Sequence, residues 1–155
     1  MRIEEKILRI VCAVVVSAAA LALAAAFVET DTAWYQALQK PEFQPPPIVF
    51  SIGWALLYAL FAASLALVSQ ACDKPKKVHF LYFAVFVLNA LWTYCFFQQE
   101  KAAAAVFLLL ITIISALILF LSVYSMNKTA AYLLIPYLLW TAFALYLNYE
   151  IAFLN

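Results

Sequence analysis

Charged side chains are scarce in this sequence. Asp, Glu, Lys and Arg make up 11% of the 155 residues, and 69% of the residues are hydrophobic, whereas a soluble domain has about 25% charged residues. A chain of this length cannot bury so many apolar side chains in a globular core. The shortage of charge therefore excludes a soluble domain and indicates a membrane protein.

Acidic, basic and histidine side chains are also absent from the middle of every long apolar segment. That absence argues against an intramembrane proton relay or ion-coupling site, and against acid–base or nucleophile–base catalysis at membrane depth. The cysteines Cys12, Cys72 and Cys95 have no CxxC spacing and no histidine at metal-ligand spacing. The sequence therefore predicts no metal site and no resident cofactor.

Five segments are long and apolar enough to span a membrane. Each has about 20 residues, which crosses a hydrocarbon core of about 30 Å at 1.5 Å per residue. They are residues 10–27, 48–71, 78–97, 102–126 and 130–153. Three of the four connections are short, and only residues 28–47 leave room for a longer loop. We predict an all-α membrane protein in which residues 1–155 form a single bundle of five transmembrane helices with a lid-like first loop.

The first loop is rich in aromatic residues and proline. It contains Trp34, Tyr35 and four prolines between residues 41 and 47. A water-facing connection rarely has this composition, because aromatic rings favour an interface and proline stiffens the backbone. We predict that the loop is a stiff cover over an apolar site in the membrane.

The basic residues predict the orientation of the chain. Short loops with Lys and Arg stay on the cytoplasmic side. With a cytoplasmic N-terminus, only Lys40 and Lys101 lie outside, and the other seven basic residues lie inside: Arg2, Lys6, Arg9, Lys74, Lys76, Lys77 and Lys128. We therefore predict a multi-pass protein, in the plasma membrane, with a cytoplasmic N-terminus and with the first loop and the C-terminus outside.

The N-terminal segment has an alternative interpretation. A basic start, an apolar run and the triplet Ala22-Leu23-Ala24 also resemble a signal peptide with its cleavage site. The apolar run reaches full spanning length, which favours a retained helix.

Aromatic residues recur at helical spacing on three of the predicted spans. Such stripes are more typical of helix packing than of a binding site when each is considered alone. The stripes are Ser51, Trp54, Tyr58 and Phe61 on the second span; Tyr82, Phe86, Asn89, Trp92 or Thr93, and Phe96 on the third; and Pro136, Trp140, Ala144 and Leu147 on the fifth.

The depths of three tryptophans favour a cavity. Trp54, Trp92 and Trp140 all fall several residues inside the outer half of the membrane, on the same side as the first loop, whereas tryptophan is usually found at the interface. Asn89 near mid-membrane would suit such a cavity, as would Pro136, which leaves a backbone carbonyl unpaired. Alternatively, Asn89 bonds a neighbouring helix and Pro136 only kinks the fifth span.

Four ordered motifs resemble the translocator protein / tryptophan-rich sensory protein (TspO) family, once called peripheral benzodiazepine receptors. The resemblance covers nearly the whole chain. The matching residues are Trp34, Tyr35, Leu38, Lys40, Pro41, Pro45 and Pro46 in the first loop; Trp54, Leu57 and Tyr58 on the second span; Leu88, Asn89, Trp92, Phe96 and Phe97 on the third; and Leu133, Leu134, Pro136, Tyr137, Trp140, Ala142, Phe143, Leu147 and Asn148 on the fifth.

The resemblance implies a ligand cavity inside a five-helix bundle, closed by the first loop, in a protein that is commonly a homodimer. Family members are associated with porphyrins and other tetrapyrroles, with sterols in animals, and with isoquinoline and benzodiazepine drugs. Some bacterial members are reported to promote light-dependent breakdown of protoporphyrin IX. The family tryptophans that match Trp54 and Trp140 are implicated in that reaction. The chain departs from the family's sterol pattern, because no basic residue follows Tyr149, and residues 107–111 lack the acidic residue common on the fourth helix.

We predict a cavity that binds protoporphyrin IX or a related tetrapyrrole, in a homodimer surrounded by membrane lipid, with no role for nucleic acid. Trp54 and Trp140 would be the catalytic residues if the bound porphyrin reacts in light. A binding or sensory protein, a photo-oxidative enzyme and a transporter of tetrapyrroles or sterols remain open. The predicted ligand-binding residues are Tyr35, Pro45, Pro46, Trp54, Tyr58, Asn89, Trp92, Phe96, Trp140 and Ala144.

Overall fold

A computed structural model describes residues 2–71 and 76–155, so Cys72 and Lys74 lie outside the described residues. The helices are α1 (Ile3–Ala26), α2 (Ala33–Ala37), α3 (Pro47–Ala71), α4 (Lys76–Thr93), α5 (Ala102–Tyr124), α6 (Lys128–Tyr132) and α7 (Ile135–Leu154), and a π-helical segment, Tyr94–Gln98, continues α4. The described part of the chain contains no strand.

Among the described residues, five helical spans are long and apolar enough to cross a membrane: Ile3–Ala26, Pro47–Ala71, Lys76–Gln98, Ala102–Tyr124 and Lys128–Leu154. They confirm the predicted all-α fold with five spans. Large apolar side chains such as Ile52, Leu56, Phe83 and Leu139 are exposed on the outer surface. An apolar outer surface suits a lipid environment, in which the helices satisfy their own backbone hydrogen bonds.

The spans form a bundle in which α1 packs against α3 and α4, and α5 packs against α4 and α7. Between α3 and α7, aromatic side chains make the contact. The ring centroids of Phe61 and Tyr137 lie 4.6 Å apart, and those of Trp54 and Tyr137 lie 6.2 Å apart. Bulky rings therefore separate the backbones of these two helices.

The fifth span is divided, although the sequence predicted one continuous helix. Helix α6 ends at Tyr132 and α7 begins at Ile135. Pro136 has no backbone N–H, so it cannot donate to the carbonyl four residues earlier. The helical pattern resumes where the N–H of Leu138 donates to the carbonyl of Leu134 at 3.2 Å.

The third span ends in π-helical backbone rather than in the α-helix that the sequence predicted. In the segment Tyr94–Gln98 the hydrogen bonds span five residues, and the N–H of Gln99 donates to the carbonyl of Tyr94 at 3.1 Å. Glu100, with a φ of 54°, then turns the chain toward α5. π-Helical turns are frequent at functional sites, and this one lies next to the cavity described below.

The first loop contains its own short helix. Thr32 caps the N-terminus of α2, and its hydroxyl oxygen accepts a hydrogen bond from the N–H of Tyr35 at 3.1 Å. A threonine at this position satisfies a backbone N–H that has no partner within the helix. The cap therefore helps to fix Trp34 and Tyr35, which lie in the first turn of α2.

Candidate functional site: a cavity beneath the first loop

A cavity of about 510 Å³ lies inside the bundle, at the end that the first loop covers. Its walls come from α1, α3, the α4 span and α7, and no described lining residue belongs to α5. None of the described lining residues is charged. They are Leu21, Ala24, Ala25, Val28, Thr30, Tyr35, Gln44, Pro45, Pro47, Phe50, Ser51, Trp54, Tyr58, Asn89, Trp92, Thr93, Phe96, Phe97, Ala144, Leu147, Asn148 and Ile151.

The structure brings eight of the ten predicted ligand-binding residues to the cavity wall: Tyr35, Pro45, Trp54, Tyr58, Asn89, Trp92, Phe96 and Ala144. Pro46 and Trp140 are not among the described lining residues. Pro46 is exposed between two prolines that do line the cavity.

Trp140 lies beside the cavity, because only part of the predicted stripe on α7 faces inward. Its buried residues are Tyr137, Thr141, Ala144, Leu147, Asn148 and Ile151, at the spacing of one helix face. Ala144 and Leu147 of the predicted stripe line the cavity, whereas Pro136 is exposed and Trp140 is not among the described lining residues. The Trp140 ring packs instead against Phe50 and Trp54, with centroid distances of 5.8 and 6.5 Å.

Trp54 is the centre of the aromatic wall. Its ring centroid lies 5.8 Å from that of Trp92, with 41° between the planes, and 6.5 Å from that of Tyr58. Helices α3 and α4 position this pair, since both tryptophans lie on the inner faces of their helices. The cavity therefore presents two indole rings, on different helices, to whatever occupies it.

Asn89 connects three helices below these rings. It is 2% exposed, its Nδ2 donates to the Tyr58 hydroxyl at 3.1 Å, and the Tyr137 hydroxyl donates to its Oδ1 at 3.4 Å. The sequence left two alternatives for Asn89, a place at a cavity or a bond to a neighbouring helix. The structure shows bonds to two neighbouring helices, and Asn89 also lines the cavity. An amide nitrogen carries two hydrogens, and only one of them is used in these two bonds.

The first loop packs onto the end of the α4 span. The ring of Trp34 lies 5.5 Å from that of Phe96, and the ring of Tyr35 lies 5.6 Å from that of Phe97. Gln44 Nε2 donates to the Tyr35 hydroxyl at 3.2 Å. The loop thus covers the cavity through aromatic contacts, as its composition predicted.

A second attachment holds the far side of the loop to α7. The side-chain Oδ1 of Asn155 accepts from the backbone N–H of Gln39 at 2.9 Å, and its Nδ2 donates to the carbonyl of Gln39 at 3.0 Å. Lys40 follows, with its ammonium 4.1 Å from the centre of the Tyr35 ring. Lys40 therefore places a positive charge in the loop, beside the cavity-lining residue Tyr35.

Sequence reasoning missed several lining residues. Gln44, Phe50, Thr93 and Phe97 were not proposed as site residues, and neither was Asn148, which lies on the inner face of α7. The polar residues Thr93 and Asn148 inside apolar spans were a signal, since polar side chains at membrane depth face protein or a cavity. Within residues 2–71 and 76–155, no three His, Cys, Asp or Glu side chains group closely enough to bind a metal ion.

Comparison with known proteins decides the family. The model of the TspO/MBR family matches residues 11–154. The chain belongs to the TspO/MBR family. Relatives include the tryptophan-rich protein TspO of Bacillus cereus, 36% identical over 81% of this chain and 82% of the relative. The uncharacterized membrane protein YtaB of Bacillus subtilis is 33% identical over 97% of this chain and 99% of the relative.

The translocator protein of Homo sapiens is also similar, with 33% identity over 75% of this chain and 71% of the relative. The resemblance inferred from the four motifs is therefore confirmed. Family membership and the five apolar spans together establish an integral, multi-pass membrane protein. The ligand, the orientation of the termini and the homodimer remain predictions.

Proposed function

We propose that this protein binds a planar, mostly apolar ligand of the tetrapyrrole class, such as protoporphyrin IX, in the cavity beneath the first loop. The observation that carries the proposal is a cavity of about 510 Å³ with an aromatic lining and no charged residue among those described. Ligand pockets of about 300–1,000 Å³ with apolar walls and a few polar groups are typical of small-molecule sites.

The aromatic wall favours a flat ligand. Trp54 and Trp92 present indole rings with centroids 5.8 Å apart, and stacking on an aromatic ring contributes about 0.5–1.5 kcal/mol beyond the burial of area. A tetrapyrrole offers an extended π-system that could contact both rings. Asn89 supplies an amide group at the wall for a polar atom of such a ligand.

The lining also predicts how the ligand is oriented. Protoporphyrin IX carries two propionate groups, and an unpaired carboxylate is costly to bury. No described lining residue is a cation, whereas Lys40 lies in the loop beside Tyr35. We infer that the propionates point toward the loop and water, and that the apolar edge of the macrocycle points toward Tyr58 and Asn89.

A spectral titration tests the proposal. Purified protein in lipid nanodiscs is titrated with protoporphyrin IX in the dark, and the Soret band and tryptophan emission are followed. We expect a saturable shift of the Soret band together with quenching of tryptophan emission. Empty nanodiscs are the control for partition into lipid, and an identical response with and without protein would overturn the proposal.

Light-dependent breakdown of the porphyrin is a second candidate function. It is favoured by the contact of Trp54 with Trp92, because an excited porphyrin can exchange an electron with an adjacent indole and the neighbouring ring can share the charge. The light chemistry would belong to the ligand, with dioxygen as oxidant, and the protein would supply position. Illumination of the titrated sample should then yield one defined product rather than the mixture formed without protein.

A further inference from the structure

Trp92 and Asn148 form a buried hydrogen bond at the cavity wall. Indole Nε1 of Trp92 donates to Oδ1 of Asn148 at 2.9 Å, and Nδ2 of Asn148 donates to the carbonyl of Ala102 at 2.8 Å. Trp92 is 8% exposed and Asn148 is 3% exposed. Both ends of the amide therefore have partners, and the amide links α4, α5 and α7.

The bond restricts the orientation of the Trp92 ring. The indole N–H is a donor only, and a buried donor without a partner is destabilising. A rotation of the ring that moves Nε1 away from Asn148 would leave this donor unpaired. The bond thus favours the orientation in which the plane of Trp92 lies at 41° to that of Trp54.

Trp140 shows that such a bond is not a general feature of tryptophans in this bundle. Its Nε1 is buried and has no hydrogen-bond partner among the described residues, so packing alone orients that ring. Trp92 lines the cavity, whereas Trp140 does not. The hydrogen-bonded orientation therefore occurs on a ring that a ligand would contact.

We propose that Asn148 is a positioning residue for the ligand site, which acts by holding the Trp92 ring in the plane that a flat ligand stacks against. The effect on affinity rests on the proposed function. The orientation of the ring does not, because the bond joins two residues of this chain. Two experiments separate these claims.

The first experiment uses the ligand-free protein. Ultraviolet resonance Raman spectra report the hydrogen bond of an indole N–H, and circular dichroism reports the coupling of adjacent indoles. We expect Asn148→Leu to weaken the hydrogen-bonded indole signal and to change the coupling, with Trp92→Phe identifying the contribution of that ring. Thr141→Val is the matched control, since Thr141 is buried on the same face of α7 and its hydroxyl donates to the carbonyl of Tyr137.

A conservative variant distinguishes the hydrogen bond to Trp92 from the hydrogen bond to Ala102. The same variant can be measured if Asn148→Leu does not fold. Asn148→Asp keeps an acceptor oxygen for Trp92 and removes the donor to Ala102. We expect it to retain the hydrogen-bonded indole signal. An unchanged indole signal in Asn148→Leu, or a signal lost equally in Asn148→Asp, would overturn the positioning role.

The second experiment is a double-mutant cycle on protoporphyrin IX affinity in nanodiscs. We expect Asn148→Leu to weaken binding about tenfold, roughly what the loss of one buried hydrogen bond allows. In a Trp92→Phe background the same change should have less than about a twofold effect, because the group through which Asn148 acts is absent. A tenfold loss in both backgrounds would overturn the proposal and assign Asn148 to the attachment of α5. If the parent does not bind the porphyrin, the proposed function fails, and the ligand-free spectra still decide whether Asn148 orients Trp92.

Discussion

The indole of Trp140 lies directly on the backbone of Gly53, the only glycine in the chain. A Cβ atom at Gly53 would lie 2.7 Å from the Trp140 ring, closer than van der Waals contact allows. The rings of Phe50, Trp54 and Phe143 also contact the Trp140 ring. These contacts leave the Trp140 ring little space in which to move away from Gly53. The glycine therefore permits the close approach that fills the space between α3 and α7.

Gly53→Ala should destabilise the bundle by about 1–3 kcal/mol, the usual effect of overpacking. Helix propensity alone predicts the opposite sign, since alanine favours a helix over glycine by about 1 kcal/mol. Thermal unfolding in detergent measures the balance. In a Trp140→Leu background the same change should become neutral or stabilising, and a higher midpoint for Gly53→Ala alone would contradict the packing.

Trp54→Phe should separate binding from photochemistry. Phenylalanine keeps an aromatic ring at the cavity wall, so affinity for protoporphyrin IX should fall only about two- to fivefold. Phenylalanine is much harder to oxidise than tryptophan, so the yield of a light-dependent product should fall far more. Trp140→Phe is the comparison, because Trp140 packs against Trp54 without lining the cavity. Full photochemical activity in Trp54→Phe would exclude a redox role for that ring.

Cysteine labelling tests the predicted orientation. In a variant whose three native cysteines are replaced, a membrane-impermeant reagent should modify Gln39→Cys in intact cells and should modify Lys76→Cys only after lysis. The expectation follows because most basic residues lie in segments on the same side of the membrane as the N-terminus. The reverse pattern would place the first loop in the cytoplasm.

Ala22→Leu tests whether α1 contributes to a homodimer. Ala18, Ala22 and Ala26 are exposed on α1, so this stripe of small residues is available to a second copy, and small residues let helices approach closely. We expect Ala22→Leu to shift the detergent-solubilised protein toward monomer, as measured by light scattering. Ala59→Leu, at an exposed position of α3, is the control, and an unchanged dimer in Ala22→Leu would exclude this stripe from the interface.

The fold and the position of the cavity could be predicted because both depend on properties that the sequence shows directly. Apolar length identifies a span, and the depths of Trp54 and Trp92 placed them near the first loop. The exact inner face of α7 could not be predicted in the same way. The predicted stripe shares Ala144 and Leu147 with the observed lining and differs from it at Pro136 and Trp140, because spacing alone does not fix the centre of a helix face. Trp140 was therefore assigned to the lining, and Tyr137 was not recognised as an inner residue.

Specific polar contacts were also beyond prediction. The bond between Trp92 and Asn148 joins residues 56 positions apart, and its formation depends on the relative height of α4 and α7. The π-helical segment brings Phe96 and Phe97, consecutive in sequence, to the same cavity. Phe97 was not predicted to line the cavity, because the assumed three- and four-residue steps along the third span pass through Phe96 only.

Helix α5 supports the cavity without lining it. Its buried residues, Ala105, Leu109, Thr112, Ala116, Leu119 and Val123, recur every three or four positions, and the helix packs against both α4 and α7. The outer surface of α5 is mostly apolar, with Phe107, Ile114 and Leu121 among its most exposed residues. Substitutions on that outer surface can therefore adapt the protein to bilayers of different thickness or composition while the ligand preference of the cavity stays the same.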